Sequence, residues 1–374
     1  MATLPELLQR LVQMEGSDLH LTTNTPPQVR VHGHLTRLDM PELTPAETKQ
    51  LAYSVITDAQ KKRFEEQLEL DFSFGLKGVA RFRCNMFNQR GSVAAVYRVI
   101  PEHIRSFQEL NLPPVLATLA ERPRGLVLVT GPTGSGKSTT LAAMIDKINR
   151  ERHDHILTIE DPIEFVHKHQ SCVVNQREVH SDTQSFAAAL RSALREDPDI
   201  VLVGEMRDLE TVESALKIAE TGHLTLGTLH TNSTSQTINR IIDIFPANQQ
   251  GQIRTQLSLV LEGIVCQTLL PKIGGGRVVA LEIMIPTAGI RNLIREDKIH
   301  QIYSAMQTGQ EKMGMQTMNQ SLATLYHRKQ ITLESALAAS SHRDELQDLI
   351  NRGVGVVAGA GLSRPGMPRP VTAR

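Results

Sequence analysis

The sequence has little of what a nucleic-acid-binding protein needs. Tryptophan is absent, and aromatic residues make up 3% of the 374 residues, so we expect no stacking platform for single-stranded nucleic acid. Lys+Arg and Asp+Glu both number 40, and the formal net charge is therefore +0. The basic excess that is typical of nucleic-acid partners is missing. We therefore expect no nucleic-acid partner, and only local basic patches remain compatible with this composition.

Cysteine and long apolar runs are also scarce. The three cysteines, Cys84, Cys172 and Cys266, lie far apart and form no CxxC pair, which argues against a disulfide framework and a four-cysteine zinc site. No apolar run approaches the ~18–20 residues of a membrane span. The first 13 residues lack the basic and apolar segments of a secretory signal. We expect a cytosolic chain of about two to three domains.

The first part of the chain, 1–110, is predicted to form a small α+β domain with an antiparallel sheet. Leucines at helical spacing predict a helix over 4–12, and two further helical stretches lie at 45–57 and 58–68. Short runs rich in β-branched residues alternate with glycines that are typical of hairpin turns. These runs are 18–22, 29–32, 71–74, 79–87 and 93–99.

The second part of the chain has a different pattern. A proline-containing linker is expected at 111–123, and from 124 to 352 apolar strands alternate with amphipathic helices, which predicts an α/β fold with a mostly parallel sheet. From about residue 287 this part is predicted to be helical. The tail at 353–374 is rich in glycine, proline and arginine, and we expect it to be disordered.

A phosphate-binding pattern follows the apolar strand at 126–130. The pattern GxxxxGK[ST] is formed by Gly131, Pro132, Thr133, Gly134, Ser135, Gly136, Lys137 and Ser138. Its glycines let backbone N–H groups point at phosphate oxygens, and the start of the next helix adds partial positive charge. Lys137 can reach the β- and γ-phosphates, Ser138 can bind Mg²⁺, and Thr139 can contact the α-phosphate. The pattern, in this strand–helix context, predicts nucleotide binding.

Acidic residues follow two further predicted strands. Glu160, Asp161 and Glu164 come at the end of one strand, and Glu205 comes at the end of the next. Because ligands of open α/β sheets lie off the carboxyl ends of the strands, both groups should face the phosphate-binding loop. One acid can hold Mg²⁺ and another can activate the attacking water. Glu205 is the first choice for the base that activates water, and it can also face the metal. The alternative is that all four acids only cap helices or pair with arginines.

Four basic residues are further candidates. His230 ends the strand at 224–228, where it can bind a phosphate oxygen or relay the nucleotide state. Arg81 and Arg83 alternate with apolar residues on one predicted strand, and Arg98 lies on a later strand. They can reach the γ-phosphate as arginine fingers across a gap between domains. The alternative is a solvated basic face.

The order of these motifs resembles that of the secretion ATPases of type II secretion and type IV pili. Their Walker A, acidic, Walker B and histidine boxes correspond here to 131–138, 160–164, 204–208 and 228–231. The resemblance covers about residues 1–350. It implies a PAS-like N-terminal domain and a RecA-like ATPase domain with a helical C-terminal part.

Within that family the chain is similar to the retraction ATPases of type IV pili. Its first domain is compact, the four-cysteine zinc motif usual in extension ATPases is missing, and GIRNLIRE at 289–296 is similar to the retraction signature AIRNLIRE. Gly289 replaces the alanine of that signature, which is a small departure. The segment 314–322 also fits this group.

The resemblance implies a hexameric motor that hydrolyses ATP with Mg²⁺ and powers pilus retraction and twitching motility. It implies a peripheral position at the cytoplasmic face of the inner membrane, docked on the pilus platform protein, with a second retraction ATPase as a further partner. ATP would lie between the two domains, with Arg81, Arg83 and Arg98 approaching its phosphates. The helix at 289–296 would pass the resulting movement on, or would serve ordinary helix packing.

Other functions remain open at this point. An accessory retraction ATPase and an ATPase of pilus extension or type II secretion belong to the same family. A RecA-like nucleic-acid translocase belongs to another class, against which the zero net charge counts. A non-hydrolysing regulatory subunit is a third class, against which the intact acidic residues argue.

Overall fold

The computed structural model describes residues 2–31, 33–100, 103–308 and 313–352. The tail at 353–374, for which disorder is expected, lies outside the described residues. Among the helices of the described part, none is both long and apolar enough to cross a bilayer.

The N-terminal part forms a six-stranded sheet in the order β3-β2-β1-β6-β5-β4, and each pair of neighbouring strands is antiparallel. This arrangement matches the predicted α+β architecture, while its relation to PAS domains stays a prediction. The exposed strand β3 was not expected, because none of its four residues is buried. The elements are α1 (Leu4–Gln13), β1 (Asp18–Leu21), β2 (Gln28–Val31), β3 (His34–Arg37), α2 (Pro45–Tyr53), α3 (Asp58–Gln67), β4 (Glu69–Leu76), β5 (Ala80–Gln89) and β6 (Ser92–Ile100).

Strand alternation gives the N-terminal sheet one apolar and one polar face. On β5, Phe82 and Cys84 are buried in the core of this unit, whereas Arg81 and Arg83 point to the opposite face. The amphipathic helix α1 buries its leucines in the same core. The arginines are therefore available to contact the rest of the chain.

The second unit is built on a seven-stranded sheet in the order β13-β12-β7-β11-β10-β8-β9. All neighbouring strands are parallel except β12 and β13, so the predicted α/β fold is confirmed. The strands are β7 (Gly125–Thr130), β8 (His155–Glu160), β9 (Val173–Glu178), β10 (Ile200–Val203), β11 (Leu224–Leu229), β12 (Leu261–Pro271) and β13 (Arg277–Met284).

Helices cover this sheet and connect its strands. They are α4 (Pro114–Ala120), α5 (Lys137–Glu151), α6 (Phe186–Ala193), α7 (Leu209–Glu220), α8 (Thr234–Asp243) and α9 (Ala247–Val260). The stretch 111–123, expected to be a linker, contains α4. Its Leu116 and Leu119 are buried in the core of the second unit, so this stretch packs as part of that unit.

The C-terminal part is helical, as the sequence predicts. Its elements are α10 (Ala288–Arg295), a 3₁₀ turn (Ile299–Gln301), α11 (Ile302–Thr308), α12 (Met318–His327), α13 (Leu333–Ala339) and α14 (Arg343–Asn351). Leu322 of α12, Ala336 of α13 and Leu346 of α14 form a small core with Leu270 and Ala280 of the β12–β13 hairpin. These helices therefore pack against the β12–β13 edge of the sheet.

Candidate active site

The predicted phosphate-binding loop joins β7 to α5 and packs against β12. Gly131 has φ +139°, and a Cβ atom at this position would lie 2.2 Å from the backbone oxygen of Gln267. The side-chain amide of Gln267 donates a hydrogen bond to the backbone oxygen of Ser135 at 2.7 Å. Only glycine fits at 131, because the loop approaches a neighbouring strand so closely.

Lys137 begins α5, and its amine lies over the loop. The Nζ atom donates to the backbone oxygens of Gly131 at 2.9 Å and Pro132 at 3.1 Å. Burial lowers the pKa of Lys137, while the negative charges of Glu205 and Glu164 oppose that shift. The loop thus brings one amine and two carboxylates into electrostatic contact.

Glu205 and His230 meet at the carboxyl ends of two adjacent strands. Glu205 follows β10 and His230 follows β11, and these two strands are parallel neighbours. The Oε1 atom of Glu205 lies 2.8 Å from Nε2 of His230 and also accepts a hydrogen bond from Arg207. The side chain of Glu205 is 18% exposed, so it is largely shielded and yet reaches the site. An acid that is hydrogen-bonded to an imidazole can take up and pass on a proton.

The acidic residues at the end of β8 differ in their surroundings. Glu160 accepts hydrogen bonds from the Thr158 hydroxyl at 2.7 Å and the Gln176 amide at 3.1 Å. Removal from water raises the pKa of Glu160, although these two hydrogen bonds act in the opposite direction. Asp161 and Glu164 are exposed. Glu160 is therefore held in place by its neighbours, while the other two remain accessible to a ligand.

Two of the three candidate arginines share a cavity with Thr139, the residue that directly follows the phosphate-binding loop. Arg83 and Arg98 are opposite each other on β5 and β6. They line a cavity of about 170 Å³ together with Thr139 and Glu164. Nε of Arg98 donates to Asp18 at 2.7 Å. The structure thus brings the basic face of the first unit to the start of α5.

The third arginine is engaged elsewhere. The Nη2 atom of Arg81 lies 3.0 Å from Oε2 of Glu178 and 2.6 Å from the hydroxyl of Ser73. Glu178 ends β9 and was not among the candidates from the sequence. The only sequence feature that marks Glu178 is its position as a carboxylate at the carboxyl end of a strand. Its partner Arg81 lies 97 residues away, so the sequence does not indicate that the two form an ion pair.

The chain matches a known family along most of its length. The sequence profile described as type II/IV secretion system protein matches residues 2–334. The "Type IV pilus retractation ATPase PilT" of Pseudomonas aeruginosa is 56% identical over 331 residues, which cover 88% of this chain and 96% of that relative. A "Twitching motility protein" of Neisseria gonorrhoeae is 52% identical over 321 residues, which cover 86% of each chain.

A solved structure has the same fold. The crystal structure of the pilus retraction motor PilT with bound ADP has a TM-score of 0.88 and 56% sequence identity, covering 93% of this chain and 100% of that one. The similarity therefore includes both the N-terminal sheet and the unit that carries the phosphate-binding loop.

Proposed function

Because the chain belongs to the type II/IV secretion system protein family, we propose that it is an ATPase that powers the retraction of type IV pili. The observation that carries this proposal is the Glu205–His230 pair beside the phosphate-binding loop, in a chain that is 56% identical to a retraction ATPase. Such an arrangement supports hydrolysis as well as nucleotide binding.

The phosphate-binding loop holds ATP. The N–H groups of the loop and of the first turn of α5 bind the phosphates, and Lys137 exchanges its contacts with Gly131 and Pro132 for the β- and γ-phosphates. Ser138 in the first helical turn and Glu205 offer oxygen atoms, the donors that Mg²⁺ prefers. Bound Mg²⁺ neutralises phosphate charge in this class of reaction.

Glu205 acts as the base for the attacking water. It takes the proton of the water, and His230, at 2.8 Å, orients the carboxylate or passes on the nucleotide state. Asp161 and Glu164 are accessible acids in the turn after β8, the strand next to β10, and Glu160 supports this turn by accepting a hydrogen bond from the N–H of Glu164. Arg83 and Arg98 approach the γ-phosphate from the N-terminal sheet, so loss of that phosphate releases them and lets the units separate.

The motor works as an assembly. We infer a homohexameric ring in which the opening of one subunit displaces its neighbour. The ring is peripheral, lies at the cytoplasmic face of the inner membrane and docks on the pilus platform protein, with a second retraction ATPase as a further partner. No nucleic acid takes part, in keeping with the balanced charge of the chain.

Substitution Glu205→Gln tests the site. The variant should still bind ATP, because the loop is untouched, and its kcat should fall by about 10²- to 10⁴-fold, the usual contribution of a general base. The matched control is Glu213→Gln on α7, which alters an exposed acid outside the site. Near-normal turnover in Glu205→Gln would assign the base to Asp161 or Glu164 instead.

Deletion of the gene in its host tests the direction of movement. Surplus pili together with lost twitching would support retraction. Loss of pili would instead favour an extension or secretion ATPase, and stimulation of the ATPase by DNA with a steep salt dependence would favour a translocase.

A further inference from the structure

A buried carboxylate joins the two units of the chain. Glu178 lies at the end of β9 and is 3% exposed. Its Oε2 atom accepts hydrogen bonds from Ser73 at 2.5 Å and Arg81 at 3.0 Å, both of which belong to the N-terminal sheet. A carboxylate is rarely this buried unless its charge is compensated, and Arg81 supplies the compensating charge.

The same carboxylate also holds the acidic segment of the active site. Oε2 of Glu178 accepts a hydrogen bond from the backbone N–H of Ile163 at 3.1 Å. Ile163 lies directly between Pro162 and Glu164, in the turn that follows β8. Glu178 therefore contacts the turn that carries the exposed acids Asp161 and Glu164, of which Glu164 acts on the pKa of Lys137.

A second carboxylate holds this turn from the neighbouring strand. Glu160 and Glu178 are register partners on β8 and β9. Glu160 accepts a hydrogen bond from the N–H of Glu164 at 3.4 Å, next to the bond that Ile163 makes to Glu178. Carboxylates at two adjacent strand ends thus hold the turn through its backbone N–H groups. The hydrogen bond from Ile163 to Glu178 is shorter than the one from Glu164 to Glu160.

Glu178 is the point where the hydrogen bonds and the ion pair of side chains link the two units. Within the parts of the chain that the structure describes, each side-chain hydrogen bond or ion pair between residues 2–100 and 103–352 ends on Glu178. Movement of the N-terminal sheet is therefore passed to this carboxylate through Ser73 and Arg81. The Nε atom of Arg81 is buried without a hydrogen-bond partner, so the guanidinium has capacity for another acceptor.

We propose that Glu178 is a positioning residue that couples Arg81 of the N-terminal sheet to the acidic turn at 161–164. Displacement of the sheet moves Arg81, Arg81 pulls on Glu178, and Glu178 shifts the N–H of Ile163 and with it Asp161 and Glu164. The approach of the N-terminal unit thereby sets the position of the acids that face the nucleotide. The effect on catalysis rests on the proposed ATPase function, whereas the mechanical coupling does not.

Substitution Glu178→Gln in the full chain tests the coupling through kinetics. Glutamine keeps an acceptor oxygen for Ile163 and removes the charge that holds Arg81. We expect kcat for ATP to fall by about 10- to 100-fold, as is usual for misplaced catalytic groups, with little change in KM. The double variant Arg81→Gln/Glu178→Gln should lose no more than Glu178→Gln alone, because both changes break the same link.

A matched control separates positioning from simple loss of an ion pair. Arg177, also on β9, pairs with Glu196 at 2.6 Å, and this pair does not touch the N-terminal sheet. Glu196→Gln should leave kcat and KM near their wild-type values. Equal losses of kcat in Glu196→Gln and Glu178→Gln, or additive losses in the double variant, would overturn the proposal.

Amide hydrogen exchange tests the coupling without turnover. In Arg81→Gln, the N–H of Ile163 should exchange faster than in the wild type, although the substitution lies in the other unit. Unchanged exchange at Ile163 would overturn the positioning role. A wild-type chain without ATPase activity would contradict the proposed function alone, since the exchange measurement would still decide the coupling.

Discussion

His167 is a buried titratable side chain close to the acidic turn. Its backbone N–H donates to the Gln176 side chain at 2.8 Å, and that same side chain donates to Glu160. The imidazole is 8% exposed, and its Nδ1 atom has no hydrogen-bond partner. Burial lowers the pKa of His167 from 6.5 to about 4. The folded protein therefore keeps this ring neutral at pH values where an unfolded chain protonates it.

This shift predicts a pH-dependent loss of stability. The folded-state pKa lies below the unfolded value, so the unfolded chain binds the additional proton and stability falls as the pH is lowered from 6.5 to 4. The penalty is absent above pH 6.5 and reaches about 3 kcal/mol near pH 4. In His167→Gln, the free energy of unfolding should depend less on pH in this window, as measured by denaturant titrations at several pH values.

The control for this experiment is another histidine. His153 is exposed and lies between α5 and β8, outside the connection that carries His167, so His153→Gln should keep the wild-type pH dependence. An unchanged pH dependence in His167→Gln would show that burial of this ring does not govern acid stability.

At the residue scale, local motifs were predictable and distant partners were not. The phosphate-binding loop and the positions of Glu205 and His230 at the carboxyl ends of strands were predicted from the sequence, whereas the contact between Glu205 and His230 is a finding of the structure. Glu178 carries no motif. Its importance comes from Ser73 and Arg81, which lie about 100 residues earlier in the chain, and a single sequence does not reveal such contacts.

At the scale of elements, the hairpin β12–β13 was missed although it supports the active site. Its eleven-residue strand β12 supplies Gln267, which contacts the phosphate-binding loop. The three glycines at 274–276, which lie between two apolar runs rich in β-branched residues, are a turn signal that predicts this hairpin. The strands that were identified, such as β7 and β10, have uniformly buried apolar sequences, which give the stronger pattern.

The helix α10 contains residues 289–295 of the segment 289–296, and its Arg291 contacts the end of α9. The Nη1 atom donates to the backbone oxygens of Ser258 at 2.7 Å and Leu259 at 3.1 Å, and Nη2 donates to Glu262 at 3.0 Å. These carbonyls belong to the last turn of α9, where a positive charge is favourable. Arg291 therefore fastens α10 to the start of β12, the strand that pairs with β7.

Substitution Arg291→Ala should destabilise the protein by about 2 kcal/mol, because charged hydrogen bonds to two carbonyls and a carboxylate are lost. Denaturant unfolding measures this change. The control Arg295→Ala, on the exposed side of the same helix, should change stability by less than about 0.5 kcal/mol.

The variant Arg291→Ala also distinguishes a packing role of α10 from a role in transmitting movement. If the helix passes the ATPase movement on, Arg291→Ala will retain ATPase activity and lose pilus retraction. Normal retraction together with normal ATPase activity would leave Arg291 with a packing role only.

At the scale of the whole molecule, the two units enclose a cavity beside the start of α5. Arg83 and Arg98 come from the N-terminal sheet, and Thr139 and Glu164 come from the second unit, around one cavity. Although the chain as a whole has no net charge, its charges are separated at this cavity. The arginines come from the N-terminal sheet, and the phosphate-binding groups and carboxylates come from the second unit. Two units that are linked by few side-chain contacts can change their relative position when a γ-phosphate attracts those arginines.

This arrangement predicts that bound ATP changes the distance between the units. The three native cysteines are buried, so thiol-reactive spin labels can be directed to introduced cysteines at the exposed positions Glu66 on α3 and Glu213 on α7. With a non-hydrolysable ATP analogue, the mean label distance should differ from that with ADP, because only the analogue carries a γ-phosphate. Mixing with excess unlabelled protein keeps the measurement within one chain. Labels at Glu213 and Asp243, both in the second unit, should keep one distance in both states. If the Glu66–Glu213 distances are identical with both nucleotides, the γ-phosphate does not move the units. The arginines of the N-terminal sheet then have no part in the movement that ATP hydrolysis drives.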